Sequence, residues 1–410
     1  MSDSDHKSNK AILFTGSLTF VGGAERLMFE EAKYLEKHGF QSYILTGDFK
    51  QDVLFNQTYK PNVHVFNTKY NFKNLLIRTA YRILALRRKI REIKPDIIIS
   101  SSAWDCIYCY FATLFTPFIY ATHIHGTIFW FGDALEKYAL IHKRVFNEIR
   151  ESVIGHKEFI PARPPKSNLT ERIKAEVVAI AVFFAVRKAK KIFVLSNQMK
   201  WEVNKLYGRE AIVLKGAFPD NVLDYEPKQN IKQKLGLGDK RIILNINRLD
   251  PRKRVDLLIK AFKQIYERVD DAVLIIGGVG EEEENLKNLA EQLNIADRVR
   301  FIGYIKEEEL WDYYAGSDVF VHPNWADFAI APYEALALNR KVVWSTEMEI
   351  DEHLVSDGHI FTANPNVDDF ARAIEKALAA DVTERNDLSN YTWDRYCEGI
   401  MRELGATIKA

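Results

Sequence analysis

Two acidic residues, Asp327 and Glu334, lie seven positions apart in the segment NWADFAIAPYEALAL (324–338). Small and apolar side chains occupy nearly every position between them. Such a pair could take part in chemistry, or it could occupy the start of an ordinary helix, where carboxylates are stabilised by the helix dipole. The segment alone supports both interpretations, so the rest of the chain must decide between them.

A cluster of cations forms a second candidate site in the segment LNINRLDPRKRVDLLIKAF. Its members are Arg248, Arg252, Lys253 and Arg254, which fall within seven residues between an apolar strand pattern and an amphipathic helix pattern. Surface cations are usually just solvated, but the guanidinium fork suits the oxygens of a diphosphate. The position directly after a strand favours the binding interpretation.

Two histidines follow the fifth apolar run, in the segment ATHIHGTIFW. A single histidine after a strand is more often structural than catalytic. Two of them beside a glycine raise the expectation of a site, because His123 or His125 could donate a hydrogen bond to a substrate hydroxyl.

A glycine pair, Gly22 and Gly23, ends the connection after the first apolar run. A helix is expected to start near Ala24 and to stop at Gly39. Glycines before a helix N-terminus allow an anion such as a phosphate to approach. A tight turn between a strand and a helix would explain the pair equally well.

Short apolar runs, separated by amphipathic stretches, must position these residues. Seven precede the linker-like segment 216–230 and six follow it. Continuous apolar strands that alternate with helices predict parallel sheets covered on both faces, so the fold class is α/β with two doubly wound domains. Ligands of such sheets bind beyond the carboxyl ends of the strands. The runs cover residues 11–14, 42–45, 63–66, 96–100, 118–122, 191–196, 211–214, 241–247, 272–278, 299–304, 319–323, 341–344 and 359–363.

The composition is that of a globular protein of two domains, with 410 residues, 47% hydrophobic and 28% charged. Residues 1–215 hold 33 Lys and Arg against 20 Asp and Glu, a charge of +13, and the remainder holds 24 against 36, a charge of −12. The first ten residues lack the apolar core of a signal peptide, and the apolar run 175–186 is too short to cross a bilayer. With only three cysteines, the sequence predicts a cytoplasmic protein, with Cys106 and Cys109 in a helical core.

Taken together, these segments resemble the retaining glycosyltransferases of family 4. The similarity covers most of the chain and includes FVGGAER, PFIYATH, VLSNQMK, LKGAF, NRLDPRKRVDLLIKAF, RFIGYI and YEALAL, in this order. The resemblance implies the GT-B architecture, in which two Rossmann-like domains face each other across a cleft. It implies an acceptor-binding domain at 1–218, a nucleotide-sugar-binding domain at 219–387, and a final helix, 388–410, that crosses back to the first domain.

The same resemblance implies roles for individual residues. Arg248 and Lys253 would bind the diphosphate of the donor and act in catalysis, and His123 would lie near the transferred sugar. Glu334 would bind the ribose hydroxyls. The remaining donor-binding positions would be Gly22, Gly23, Tyr304, Asp327, Phe328 and Ala329, with His125 and Trp130 as acceptor or sugar contacts.

The chain also departs from the family pattern. The first acidic residue of the family motif falls on Ala326, so Asp327 stands one place late. Met348 and Glu349 replace a glycine pair in a later loop, whereas Glu352 is retained. Nucleotide recognition therefore keeps its residues, while the usual sugar contact is lost.

The function implied is transfer of a hexose, with mannose the leading guess, from a nucleoside diphosphate sugar to a hydroxyl of a lipid-linked or other glycan. No cofactor and no metal are expected, because no Asp-x-Asp follows a strand and no zinc-like spacing occurs. One alternative is a non-catalytic protein of the same architecture that binds a nucleotide sugar or a partner. An epimerase or an inverting transferase fits the cation cluster and GGAER less well.

The positive charge of the first half suggests where an acceptor would bind. Residues 73–94 form a helix pattern with an apolar stripe and several arginines, and the segment RKAKK (187–191) closes an apolar run. The helix could equally be one that covers the sheet. An anionic membrane surface is therefore a hypothesis, with the protein peripheral on the cytosolic face. No nucleic-acid-binding module is recognised, and none is expected.

Overall fold

The structure is a computed structural model that describes residues 9–19, 23–50, 59–66, 75–126, 169–324, 329–351, 354–355, 358–382 and 387–405. These residues fall into two compact units. The first unit contains the described residues up to 126, residues 169–216 and the C-terminal stretch from Trp393. The second unit runs from Ala217 to Thr392.

A parallel sheet of seven strands forms the centre of the first unit, in the order β3-β2-β1-β4-β5-β6-β7. The chain winds outward from β1 in one direction and then returns to build the other half from β4. The strands are β1 (Lys10–Leu18), β2 (Gln41–Phe49), β3 (Val63–Val65), β4 (Ile97–Ser100), β5 (Ala121–Ile124), β6 (Ile192–Val194) and β7 (Ile212–Val213).

The second unit contains a parallel sheet of six strands, in the order β10-β9-β8-β11-β12-β13. Winding reverses between β8 and β11, so the crevice at their carboxyl ends is the place where doubly wound sheets bind ligands. The strands are β8 (Arg241–Ile246), β9 (Ala272–Gly277), β10 (Val299–Gly303), β11 (Val319–His322), β12 (Lys341–Ser345) and β13 (Ile360–Ala363).

Helices connect successive strands and bury one face each. In α1, Met28, Ala32 and Leu35 are buried, and Gly39, at a φ of 81°, allows the chain to turn away after the helix. The helices are α1 (Gly23–Lys37), α2 (Leu75–Ile93), α3 (Cys106–Thr113), α4 (Leu169–Lys188), α5 (Asn197–Tyr207), α6 (Ile231–Lys234), α7 (Val255–Tyr266), α8 (Glu283–Gln292), α9 (Glu307–Gly316), α10 (Ile330–Ala337), α11 (Val367–Ala379) and α12 (Trp393–Leu404).

The last helix, α12, belongs to the first unit and packs against α1. Lys37 of α1 forms an ion pair with Asp394 at 2.7 Å, and Lys191 forms one with Glu403 at 3.2 Å. The C-terminal segment is therefore attached to the unit that begins the chain.

The prediction of two doubly wound α/β domains is confirmed, and each expected apolar run overlaps a strand. Several strand ends differ from the runs: β1 and β2 continue four residues beyond theirs, and β5 is displaced along the chain. The fifth run was expected to end as a strand at residue 122, but β5 is Ala121–Ile124. His123 pairs with Phe193 of β6 and so lies within the strand instead of after it.

Other expectations concern burial. Cys106 and Cys109 are fully buried in α3, as the helical-core interpretation predicted. None of the helices that the structure describes combines the length and the apolar character needed to cross a bilayer.

Candidate active site

The connection after β8 carries the two predicted diphosphate ligands. It contains a short 3-10 turn, Pro251–Lys253, directly before α7. The side chain of Arg248 is 55% exposed, and its Nε and Nη2 atoms donate to one carboxylate oxygen of Asp250 at 2.9 and 2.8 Å. The guanidinium is thus held at the surface by a single neighbouring acid.

Lys253 faces the adjacent strand β11 across the point where winding reverses. Asn324 follows this strand, and the orientation of its amide that satisfies its neighbours places the oxygen 3.0 Å from Lys253 Nζ and 2.9 Å from His322 Nε2. His322 is buried, and burial together with the positive charge of Lys253 holds the pKa of its imidazole well below the usual range. The neutral histidine therefore orients the Asn324 amide, and the amide oxygen accepts from the Lys253 ammonium group.

Sequence reasoning missed His322 and Asn324. Both lie at a strand end in the segment VFVHPN, the position at which ligand-binding residues are expected in this fold. The same rule that selected Arg248 would have selected them.

A second feature that was not predicted is a pair of glycines, Gly278 and Gly280, whose backbone packs against the Arg248 loop. Leu249 donates its backbone N–H to Val279 at 3.0 Å, and Glu282 donates to Leu249 at 3.1 Å. A Cβ atom at Gly278 would lie 1.8 Å from the Asn247 carbonyl oxygen, and one at Gly280 would lie 2.1 Å from that of Leu249. Only glycine allows the two backbones to approach this closely.

The remaining donor-binding predictions are placed as follows. Glu334 lies in α10 and is 1% exposed, and Ala329 lies half-buried directly before that helix. Tyr304 follows β10 and is 65% exposed. Asp327 and Phe328 lie outside the described residues, as does Ala326. The question of what replaces the family's first acidic residue thus concerns positions that the structure does not describe.

In the first unit, Gly23 is the first residue of α1, whereas Gly22 and Trp130 lie outside the described residues. His123 is fully buried in β5, with its Nδ1 2.8 Å from Glu31 Oε1 of α1. The hydroxyl of Tyr396, from α12, lies 3.0 Å from the same nitrogen. A hydrogen bond from His123 to a sugar would require these contacts to open.

The electrostatics of this cluster follow from burial. Burial lowers the pKa of His123 to about 3 and that of His125 well below its usual range, so both rings are neutral. Burial also raises the pKa of the Glu31 carboxyl to about 7, although the nearby His125 lowers it slightly. Glu31 was not predicted as a site residue, because it stands on the buried face of an otherwise ordinary amphipathic helix.

Comparison with known proteins decides the family. A family model described as Glycosyltransferase Family 4 matches residues 21–214, and one described as Glycosyl transferases group 1 matches residues 227–395. The chain belongs to glycosyltransferase family 4. Together the two models cover most of both units, so the predicted resemblance is confirmed.

Among similar proteins, an uncharacterized glycosyltransferase of Methanocaldococcus jannaschii is 28% identical over 50% of this chain and 56% of its own. A GDP-mannose-dependent alpha-(1-6)-phosphatidylinositol monomannoside mannosyltransferase of Mycolicibacterium smegmatis is 37% identical over 24% of this chain and 26% of its own. The matches therefore span about half, or less, of these curated relatives.

A solved glycosyltransferase structure from Rickettsia africae shares the fold. It superimposes with a TM-score of 0.72 at 16% identity and covers 97% of this family 4 chain and 98% of its own. The predicted GT-B fold is confirmed by this likeness together with the two doubly wound sheets.

Proposed function

We propose that this protein is a retaining glycosyltransferase that moves a hexose from a nucleoside diphosphate sugar to an acceptor hydroxyl. One observation carries the proposal. Arg248 and Lys253 lie at the carboxyl end of β8, next to β11, at the point where the second sheet reverses its winding. Two cations at that position suit a diphosphate.

In this reaction the two cations would stabilise the charge on the leaving diphosphate. The bond between the anomeric carbon and the diphosphate oxygen breaks, the acceptor oxygen bonds to the anomeric carbon, and the acceptor hydroxyl releases its proton. Negative charge grows on the leaving diphosphate, so the preorganised guanidinium and ammonium groups lower the barrier. Retention of configuration and independence of a metal at the diphosphate are carried over from the family resemblance.

Mannose is the proposed sugar. The support is the similarity of FVGGAER to mannosyltransferases that act on lipid-linked oligosaccharides, together with the match to a GDP-mannose-dependent enzyme over 24% of this chain. A lipid-linked glycan is the proposed acceptor for the same reason.

The test is mass-spectrometric detection of sugar transfer. The purified protein is incubated with membrane lipid extract, soluble glycans and a panel of UDP- and GDP-sugars. A glycosylated product that disappears in Arg248→Ala and Glu334→Ala establishes the enzyme and its donor. The control is Arg268→Ala, because this exposed arginine lies beyond the far end of α7 and pairs with Glu375. It should keep full activity.

The second candidate is a binding protein that has lost catalysis. The observation that favours it is Ala326 in place of the family's first acidic residue. This protein would bind a nucleoside diphosphate in calorimetry, with loss of binding in Arg248→Ala, yet give no product with any donor and acceptor.

We further propose that the first unit binds an anionic lipid surface. The α2 helix is a poor candidate, since Leu86 and Ile90 are buried and two of its cations form ion pairs with Asp48 and Glu92. The α4 helix is a better one. It exposes one continuous apolar stripe with 47–71% of each side chain accessible, formed by Leu169, Ile173, Val177, Ile180 and Phe184.

Exposed cations accompany this stripe, including Lys174, Lys188 and Lys190. An apolar face beside positive charge is typical of helices that lie in a membrane interface and attract anionic headgroups. No helix in the described part of the chain is long and apolar enough to span a bilayer, and the proposed contact is with the membrane surface.

Vesicle sedimentation tests this surface. The protein should sediment with anionic vesicles at low salt and be released at high salt. Val177→Asp should abolish sedimentation, whereas Val65→Asp, at another exposed apolar position of the first unit, should not. Equal sedimentation with neutral and anionic vesicles would contradict the proposal.

A further inference from the structure

Three side chains of the first unit converge on a site that the proposed transfer reaction does not use. Glu31 comes from α1, and His123 and His125 come from β5 and the residue after it. Each offers a ligand atom, and these atoms all lie within 4.8 Å of one another. Residues far apart in sequence are thus brought to one point.

The bonding within this cluster is incomplete. His123 is saturated by Glu31 and Tyr396. Both ring nitrogens of His125, however, are buried and have no hydrogen-bond partner in the part of the chain that the structure describes. Because leaving a buried polar atom unpaired is costly, we expect His125 to bind a partner that the described residues do not supply.

The donor set indicates the kind of partner. Neutral imidazole nitrogens with one carboxylate oxygen are ligands of zinc and related ions, whereas Ca²⁺ and Mg²⁺ take oxygen ligands. Three protein ligands leave a fourth position. The Tyr396 hydroxyl, 3.3 Å from Glu31 Oε1, or a water could fill it.

We propose that Glu31, His123 and His125 bind one divalent transition-metal ion, with Zn²⁺ as the best fit. As the ion binds, the proton held between Glu31 and His123 is released, and both residues turn their lone pairs to the metal. The ion supplies the positive charge that the buried carboxylate lacks and the partner that His125 lacks.

The ion would be structural. Its ligands join α1 to β5, and Tyr396 adds α12, so one ion would tie the C-terminal helix to the sheet of the first unit. The residues proposed for the donor diphosphate lie in the other unit. A structural metal ion in the first unit is therefore compatible with a sugar-transfer reaction that needs no metal ion at the diphosphate.

The experiment uses the 410-residue chain without a histidine tag, stripped with a chelator. Zn²⁺ is titrated in competition with a chromophoric chelator, and Co²⁺ is added separately to record visible d–d absorption. We expect saturation at one ion per chain and a higher melting temperature with Zn²⁺. Glu31→Gln and His125→Gln should each weaken binding by more than about tenfold, which is the smallest loss expected even for an outer partner of a metal ligand.

Matched controls lie on α1 and directly after it. Glu30→Gln changes the adjacent acid, which pairs with Lys33, and His38→Gln changes a histidine after the end of α1. Both should bind Zn²⁺ as the wild type does. Circular dichroism shows whether each variant is folded. If one of the two ligand variants does not fold, the other still tests the proposal.

Two results would overturn the proposal. One is the absence of saturable Zn²⁺ or Co²⁺ binding by the folded wild type, which would leave Glu31, His123 and Tyr396 as a hydrogen-bonded cluster only. The other is binding that survives unchanged in Glu31→Gln and His125→Gln, because the ion would then be held by other residues.

Discussion

Arg254 and Glu347 form a buried ion pair in the second unit, with Arg254 Nη2 2.5 Å from Glu347 Oε2 and side chains only 2% and 9% exposed. Arg254 was expected among the ligand-binding cations, but this geometry makes it a structural residue. It precedes α7 with a φ of 47° and joins the start of that helix to the loop after β12. The pair therefore fixes the base from which the Arg248 loop projects.

Breaking this pair should destabilise the second unit. Arg254→Met leaves the Glu347 charge buried, so we expect a loss of about 3–5 kcal/mol in unfolding free energy. Arg241→Met removes the exposed pair with Asp271 and should cost no more than about 1 kcal/mol. Calorimetry that resolves the two units measures both. A double variant, Arg254→Met with Glu347→Met, should recover part of the loss, and equal losses for Arg254→Met and Arg241→Met would contradict the argument.

The sheets could be predicted from the sequence because a strand buried on both faces needs a local run of apolar residues. All thirteen strands in the described residues carry such a run, and the glycine after α1 marks its end. The boundary of β5 failed because a run that spans residues 118–122 does not show where pairing starts. The register with β4 and β6 sets that point.

Sequence could point to candidate site residues only where position along a strand carries the information. Arg248 and Lys253 were selected in this way and do follow β8, and His322 could have been selected by the same rule. The contact of Glu31 with His123 joins residues 92 positions apart, and that of Tyr396 with His123 joins residues 273 apart. No periodic pattern encodes such contacts, because the packing of whole helices against the sheet produces them.

Asp250 should compete with a bound nucleotide for Arg248. Both contacts from the guanidinium go to a single Asp250 oxygen, and an anionic diphosphate would have to share or displace it. Removing the acid's charge should therefore tighten binding, and we expect Asp250→Asn to lower the Kd for UDP or GDP by about two- to tenfold, or roughly 0.4–1.4 kcal/mol. Isothermal titration calorimetry measures the Kd of both proteins for the nucleotide. Weaker binding would show instead that Asp250 orients the guanidinium.

Gly278 and Gly280 should be needed for nucleotide binding although neither carries a side chain. A methyl group at Gly280 would press on the Leu249 carbonyl and displace the Arg248 loop. We expect Gly280→Ala to weaken binding at least about tenfold, and Gly278→Ala, with its φ of 117°, to destabilise the unit as well. The control is Gly238→Ala, which has a φ of 58° but open space, so it should cost about 1–2 kcal/mol of backbone strain and leave binding intact. Unchanged binding in Gly280→Ala would show that the loop is positioned by other contacts.

Asp105 should make the first unit less stable as the pH rises. It accepts hydrogen bonds from the Gly16 N–H and the Ser102 hydroxyl, both at 2.9 Å, yet burial outweighs them and raises its pKa from 3.8 to about 6. The protonated form is thus favoured in the folded state, so its contribution is complete below about pH 3.8 and is lost as the pH rises through about 6. Asp105→Asn is neutral throughout and should gain about 1–3 kcal/mol on the wild type between pH 4 and pH 7. Urea unfolding at several pH values measures the difference. Ser102→Ala removes a hydrogen bond that favours the charged form, so it should extend the loss of stability to higher pH. The prediction would be contradicted if the stability difference between Asp105→Asn and wild type stayed constant from pH 4 to pH 7. The Asp105 carboxyl would then be ionised in the folded state at no cost in stability.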